Sequence, residues 1–237
     1  LQIPSFIRFY IAAQLNISRP EILSRYAERE NTRWEHQGLI KLYYDYHDFG
    51  DFPWTFRLKR LLYTRAWLSN ERPGLLFDFA TAWLLQNKIL LPAASTLTRL
   101  IGEVRERASR RLWRRLALLP DSWQKTQLDG LLEIPEGQRI SVLEEMRKGP
   151  VTISGPSFTD ALERYTRLRS MEFSRLNFSG LPAIQLRNLA RYAGMASVKY
   201  ISRMPDERRL AVLTAFVKAQ EISALDEAVD VLDMLIL

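Results

Sequence analysis

The chain contains no cysteine and only two histidines, His36 and His47, among its 237 residues. The absence of cysteine excludes disulfide bonds, thiolate catalysis and zinc sites built from thiolates. Glu35-His36 lacks the second nearby histidine that a zinc motif needs, and the ten glycines are too scattered to form a phosphate-binding loop. We therefore predict that these residues contain no catalytic site, no metal and no cofactor.

Long apolar runs are also absent, because none approaches the roughly 18–20 residues that a membrane span needs. No secretory leader opens the chain, so we expect a cytoplasmic location and no membrane partner. The chain starts at Leu1 without Met and stops within an apolar helical pattern. We therefore expect it to be part of a longer protein.

Acidic residues are outnumbered, with 27 Asp and Glu against 34 Lys and Arg, for a net charge of +7. Residues 216–237 carry one base and five acids, so the preceding 215 residues carry a net charge of +11. Arginine binds phosphate and guanine through paired hydrogen bonds. A basic, arginine-rich body with an acidic tail favours a polyanionic partner, although composition alone does not identify it.

Apolar residues recur with the helical period through nearly the whole chain, and no strand-like alternation exceeds three or four residues. We predict an all-α fold of two consecutive helical subdomains, residues 1–118 and 119–237, with helix-turn-helix-like elements. The predicted helices cover residues 5–15, 19–29, 32–46, 54–68, 75–86, 96–118, 120–132, 140–148, 158–172, 182–193, 197–203, 206–220 and 224–236.

The helix predicted at 96–118 combines a regular apolar stripe with an arginine-rich outer face. Like charges three and four residues apart repel on a helix, and a polyanion along that face would remove the cost. With the helix at 75–86 and the turn at 89–95, it suggests a helix-turn-helix that contacts DNA. A solvated basic face, paired with the acidic tail, is the alternative. The stripe comprises Leu97, Leu100, Ile101, Val104, Ala108, Leu112 and Leu116, and the candidate DNA-binding residues are Arg99, Arg107, Arg110, Arg111 and Arg114.

A second, looser helix-turn-helix pattern covers residues 182–203, with Ala190 followed by Gly194 at the predicted turn. Alanine and glycine at this spacing are also common in packed helices. Its candidate DNA-binding residues are Arg187, Arg191, Lys199 and Arg203.

Aromatic and basic residues alternate between Trp34 and Arg65. Aromatic side chains beside bases could stack on unpaired nucleotides, but we interpret most of them as core. Arg57, Lys59 and Arg60 are kept as candidate phosphate contacts. The aromatic residues are Trp34, Tyr43, Tyr44, Tyr46, Phe49, Phe52, Trp54 and Phe56.

Asp226, Asp230 and Asp233 share one face of the last predicted helix. Three carboxylates could hold Mg²⁺, but metal-dependent nucleases usually gather acids from separate elements into a cleft. We interpret the three aspartates as a solvated face or as a docking surface for a basic partner.

Several segments of the chain, in order and spacing, resemble the amino-terminal region of the Tn-three family of replicative transposases, in particular its ampicillin-resistance branch. The first has the form Arg-Glu-x-Thr-Arg-x-Glu-His, and we count its Arg29, Thr32 and Arg33 among the candidate DNA-binding residues. The segments are 26–36 (YAERENTRWEH), 53–67 (PWTFRLKRLLYTRAW), 70–77 (NERPGLLF), 91–101, 149–157 (GPVTISGPS) and 189–195 (LARYAGM).

The resemblance implies that these residues recognise the terminal inverted repeats of a transposon as double-stranded DNA. A longer carboxy-terminal part of such proteins carries the metal-binding catalytic acids, and none of its motifs occurs here. The expected partners are transposon-end DNA, the remainder of the transposase and a second transposase subunit. Two alternatives stay open: a subunit-interaction module with DNA read elsewhere, and RNA binding on exposed aromatic side chains.

Overall fold

The computed structural model describes residues 4–21 and 30–236, with side chains for 4–21 and 34–236. The fold is all-α, as predicted, since the described residues form eleven α-helices and no strand. The helix predicted at 19–29 lies mostly outside the described residues. The helices are α1 (Ser5–Gln14), α2 (Glu30–Tyr44), α3 (Phe52–Leu68), α4 (Pro73–Gln86), α5 (Ala94–Ala117), α6 (Ser122–Gly130), α7 (Val142–Met146), α8 (Gly155–Ser170), α9 (Ala183–Met195), α10 (Val198–Ser202) and α11 (Asp206–Ile236).

The described residues form two compact units, and the chain passes between them within α3 and within α4. The first unit lies within Leu1–Phe56 and Ala80–Ala93, and the second within Arg57–Phe79 and Ala94–Leu237. The boundary at 118/119 falls inside the second unit, where α5 packs against α11. That boundary stays a prediction.

In the first unit, the loop after α2 is paired with the end of α4. His47 donates its backbone N–H to the carbonyl of Lys88, and Leu90 donates to the carbonyl of His47, both at 2.9 Å. The His47 ring stacks on Trp54, with ring centroids 5.0 Å apart.

Most of the aromatic residues assigned to the core are exposed, so that interpretation was wrong. Trp34, Tyr43 and Tyr44 are more than half exposed, and Phe52 and Phe56 are also exposed. The reason is geometric for α2, because its apolar residues are spread around the whole helix and one packed face cannot cover them.

Helix α11 organises the second unit, since it packs against α5, α6, α8 and α9. Phe216 on α11 and Phe173 in the 3-10 turn at 173–175 are fully buried in the main core. A second cluster joins Leu112 and Leu116 of α5 to Ala211 of α11. The arginine-rich helix is therefore held on the body of this unit by its apolar stripe.

The predicted break at residues 221–223 was wrong, because α11 continues through it to Ile236. Glu221 is buried there and accepts a hydrogen bond from Arg169 of α8 at 2.8 Å. Further along α11, Glu227 pairs with Arg164 of α8. A charged residue in the middle of a helical pattern therefore marks a packed contact here, and the segment contains no glycine or proline that would end the helix.

The continuity of α11 predicts a large effect of Ser223→Pro. Proline in a helix interior removes one backbone hydrogen bond and clashes with the preceding turn, so we expect unfolding to become easier by about 3 kcal/mol. Ser223→Ala is the matched control and should change stability little. Urea unfolding followed by circular dichroism measures the stability of both variants. A proline variant as stable as the alanine variant would indicate that the helix breaks at residues 221–223, as the sequence predicted.

Side-chain caps fix the starts of three helices in the second unit. Asp121 caps α6 and Ser141 caps α7, each in a reciprocal capping box. Hydrogen bonds from the backbone and hydroxyl of Ser141 hold the pKa of Glu144 below its ordinary value. Ser154 caps α8, with Pro156 in the first turn, so α8 begins three residues before the predicted start at 158.

Candidate nucleic-acid interface

Helix α5 separates its apolar and basic residues onto opposite faces. All seven residues of the predicted apolar stripe are buried, which confirms the periodicity of this helix. Arg99, Arg107, Arg110 and Arg114 project from the opposite face, and all four are exposed. They cover about 22 Å of helix axis at a rise of 1.5 Å per residue. Glu103 and Glu106 are exposed on the same face between Arg99 and Arg107, so the uninterrupted basic part runs from Arg107 to Arg114. It covers about 10 Å of helix axis and can follow neighbouring phosphates of a nucleic-acid backbone.

The outward arginines have few partners within the protein. Arg99, Arg107 and Arg114 make no hydrogen bond or ion pair within the described residues. Arg110 donates to Glu106 one turn earlier, at 3.1 Å from Nε. An exposed pair of this kind contributes only about 0–1 kcal/mol, so a phosphate can displace it at little cost. Glu221 and Glu227 of α11 pair with α8, not with these arginines.

Arg111 differs from its neighbours because it contacts α3. Its guanidinium donates to the hydroxyl of Tyr63 at 3.1 Å and lies 5.2 Å from the centre of the Trp67 ring. The side chain remains exposed. Arg111 therefore links α5 to α3 and stands at the margin of the outward face.

Helix α3 contributes the cluster Arg57, Lys59 and Arg60, all exposed, while Leu58 and Leu62 of the same helix are buried. Arg65, further along the helix, is used internally. It forms a forked pair with Glu71 and lies 4.2 Å from the centre of the Phe79 ring. The three earlier bases are thus the part of α3 that presents positive charge to solution.

The pair α9 and α10 occupies the second predicted helix-turn-helix. Arg187 and Arg191 lie on α9, with Lys199 and Arg203 on or just after α10, and all four are exposed. Gly194 lies in the last turn of α9 and not in the connection, so the predicted position of the turn was wrong. The connection is Ala196-Ser197, and the extended backbone at Ala196 ends α9 two residues after Gly194.

Arg147, the residue that follows α7, binds this connection through two backbone carbonyls. Its guanidinium donates to the carbonyl of Ala193 and, at 2.7 Å, to the carbonyl of Ala196. Partial burial lowers the pKa of Arg147, and the two carbonyls give its guanidinium hydrogen-bond partners. The sequence did not point to Arg147, because its partners lie 46 and 49 residues away.

Three polar contacts join α3, α5, α9 and α11 within the second unit. Gln185 donates to the carbonyls of Ala66 and Ser69 at the end of α3, at 3.0 and 2.7 Å. Arg115 donates to the carbonyl of Gly180 at 3.1 Å. The Arg208 guanidinium lies 4.9 Å from the Trp113 ring and 6.0 Å from the Tyr192 ring. These contacts hold the basic residues of α5 and α9 on one body.

The remaining candidates add nothing to this surface. Arg29 and the side chains of Thr32 and Arg33 lie outside the described residues. Asp226, Asp230 and Asp233 are exposed along α11. Within the described ranges, no group of three acidic or imidazole side chains is placed to hold a metal ion, and no described helix has the length and apolarity to cross a membrane.

The chain is similar in sequence to known transposases. Residues 1–104 match a family model described as "Domain of unknown function (DUF4158)". Over 231 residues, 98% of the chain, the sequence is 76% identical to the transposase for transposon gamma-delta of Escherichia coli (strain K12). Over 99% of the chain it is 27% identical to the transposase for transposon Tn1546 of Enterococcus faecium, and 26% identical to that for transposon Tn501 of Pseudomonas aeruginosa.

These similarities confirm the resemblance carried by the motifs: the chain belongs to the Tn-three family of transposases, and it corresponds to their amino-terminal region. It spans about a quarter of the length of the curated relatives it matches, at 23%, 24% and 24% of the three.

Proposed function

We propose that this chain binds the terminal inverted repeats of a transposon as double-stranded DNA and leaves the chemistry of transposition to other parts of the protein. The observation that carries the proposal is the outward face of α5, where Arg99, Arg107 and Arg114 are exposed and have no partner among the described residues. The similarity of the chain to transposases supports DNA as the nucleic acid that this face binds.

Phosphate contacts would set the register of the protein on the duplex, and base contacts would supply the sequence specificity. Arg107, Arg114 and Arg60 are the proposed phosphate contacts. Arg99 in the first turns of α5 and Lys199 near the start of α10 are the proposed base contacts in the major groove. Because Arg111 also holds α3, its replacement should affect both stability and binding.

Single-stranded nucleic acid is the second candidate, favoured by the exposed aromatic rings of Trp34, Tyr43 and Tyr44 on α2. Base stacking on aromatic side chains contributes about 1–3 kcal/mol per base and is tolerant of sequence. Within the chain, Glu221 and Glu227 of α11 pair with α8 and not with α5, so these two acids do not neutralise the arginine face.

The test is a titration of the 237-residue chain against three labelled probes: inverted-repeat duplex, a scrambled duplex of equal composition, and single-stranded RNA. We expect the inverted-repeat duplex to bind most tightly, and binding to both duplexes to weaken as salt rises, because bound arginines release counterions. Fluorescence anisotropy measures all three affinities. Equal and salt-insensitive binding to the three probes would end the proposal, while tightest binding to RNA would favour the second candidate.

A further inference from the structure

Helix α11 carries an apolar stripe that its own protein does not cover. Ile222, Leu225, Val229 and Leu232 are 55%, 43%, 47% and 38% exposed, and Ile236 continues the series. The spacing alternates between three and four residues, which places all five side chains along one line of the helix. The line beside the stripe, with Glu221, Ala224 and Ala228, is buried in the unit.

The spacing of the stripe is that of a coiled-coil seam. Residues at alternating intervals of three and four occupy the a and d positions of a heptad, and such side chains pack into the holes between side chains of a second helix. Four aliphatic residues at these positions extend over nearly two heptads. The geometry therefore calls for another helix and does not suit a flat or extended partner.

The charges beside the stripe indicate the chemistry of that helix. Asp226 and Asp233 occupy the positions that flank the seam on its open side, and Asp230 lies next to them. No Lys or Arg occurs between residues 222 and 236. The flank of a coiled-coil seam selects partners by charge, because opposite charges across it attract and like charges repel.

A second copy of this chain fits the seam poorly. In an antiparallel pair, Asp226 of one copy would face Asp233 of the other. In a parallel pair, the aspartates would meet the edge of α11 that α8 already covers through the Arg169–Glu221 pair. Charge complementarity therefore favours a basic partner over a second copy of the chain.

We propose that Ile222, Leu225, Val229 and Leu232 form a docking seam for an amphipathic helix whose apolar heptad stripe is flanked by lysine or arginine. The seam lies on α11 and its outward neighbours are acidic, so it is distinct from the basic faces of α5 and α9. The chain would hold DNA with one surface and a helix of this composition with another.

The probe for the seam is a synthetic peptide of three heptads with leucine at the a and d positions and lysine at the flanking positions. A second peptide with glutamate in place of lysine is the matched probe. Like charges at the flanking positions repel between two copies of the same peptide, so neither peptide forms a homodimer that would compete with binding to the chain. We expect the labelled lysine peptide to bind the 237-residue chain in fluorescence anisotropy, and the glutamate peptide to bind at least about tenfold more weakly.

Two variants distinguish binding to the apolar seam from attraction of the lysine peptide to acidic residues alone. Leu225→Glu with Val229→Glu adds negative charge but removes apolar contact, so the lysine peptide should bind about tenfold more weakly or worse. Attraction to charge alone would instead make it bind more tightly, and that result would overturn the proposal. Leu118→Glu, at an exposed leucine after α5, is the control and should leave binding unchanged.

Both altered residues are exposed and glutamate is a good helix former, so the fold should persist, as circular dichroism would show. Sedimentation of the unaltered chain completes the test. A monomer supports the proposal, whereas a dimer that the double variant dissociates would assign the seam to a second copy. Failure of the lysine peptide to bind at millimolar concentration would also overturn it, and DNA binding would be unaffected by that failure.

Discussion

Replacing Arg99, Arg107, Arg110 and Arg114 together by glutamine is expected to weaken binding of the chain to inverted-repeat duplex about 100- to 1,000-fold. Each of the four arginines contributes about 0.7–1 kcal/mol to DNA binding, the upper end for an exposed ion pair, and all four contributions are lost together. If the parent chain contacts roughly 6–10 phosphates, its affinity falls about 10³–10⁵-fold between 50 and 200 mM salt. The variant should show a smaller salt slope, by about 0.9 for each phosphate that it no longer neutralises.

The matched control removes four positive charges elsewhere. Arg72, Lys125, Arg139 and Lys148 lie off α5, and their replacement by glutamine changes the net charge by the same amount. If binding follows the geometry of α5, the control retains far more affinity than the α5 variant. Equal decreases in affinity in the two variants would show that net charge alone drives binding, and the α5 face would have no specific role.

The same α5 variant should fold at least as well as the parent. Removing like-charge neighbours, such as Arg107 with Arg110 and Arg110 with Arg114, relieves about 0.2–0.5 kcal/mol per pair. Removal of the Arg110–Glu106 pair offsets part of this gain. Weaker DNA binding at unchanged stability is the expected signature of a residue set that serves a partner and not the fold.

Phe216→Ala is expected to lower the free energy of unfolding of the second unit by about 3–5 kcal/mol. Phe216 is fully buried on α11 in the main core, so truncation removes buried apolar surface and leaves a cavity. Leu118→Ala, at a side chain that is 70% exposed, is the control and should change stability by less than about 0.5 kcal/mol. Urea unfolding followed by circular dichroism compares the two.

A Phe216→Ala variant that unfolds within about 1 kcal/mol of the parent would show that α11 is not the centre of this unit. The packing of α11 against α5, α6, α8 and α9 would then need another explanation. DNA binding should fall in this variant only to the extent that the unit unfolds, because Phe216 lies in the core and not on the outward face of α5.

The sequence predicted α5 well because its signal is local. The apolar residues follow one line of the helix from Leu97 to Leu116, and every one of them is buried. The exposure of Arg99, Arg107, Arg110 and Arg114 follows from the same period. The pair between Arg110 and Glu106 is also local, since the two residues are four apart.

Contacts between distant residues could not be predicted in this way. Arg111 reads as another outward arginine until Tyr63, 48 residues earlier, is placed beside it. Glu221 reads as a surface acid in the sequence, because its partner Arg169 lies 52 residues away. Gln185 is unremarkable in the sequence, yet it caps the end of α3 from 116 and 119 residues away.

Most of the aromatic residues that were predicted to be buried are exposed. Trp34, Tyr43 and Tyr44 have the composition of a core, but α2 presents them in different directions. Large apolar side chains indicate burial only when they share a face. Because these rings are exposed, the test of function includes a single-stranded nucleic acid as a probe.

The position of α11 along the chain has a consequence during synthesis. Leu112 and Leu116 of α5 pack against α11, which begins roughly 90 residues later. At a translation rate of about 5–20 residues per second, α5 leaves the ribosome about 5 to 20 seconds before its packing partner. Throughout that interval this end of its apolar stripe lacks its α11 cover, while its arginines are already charged. The nascent chain therefore passes through a stage in which the end of α5 exposes apolar residues on one side and basic residues on the other.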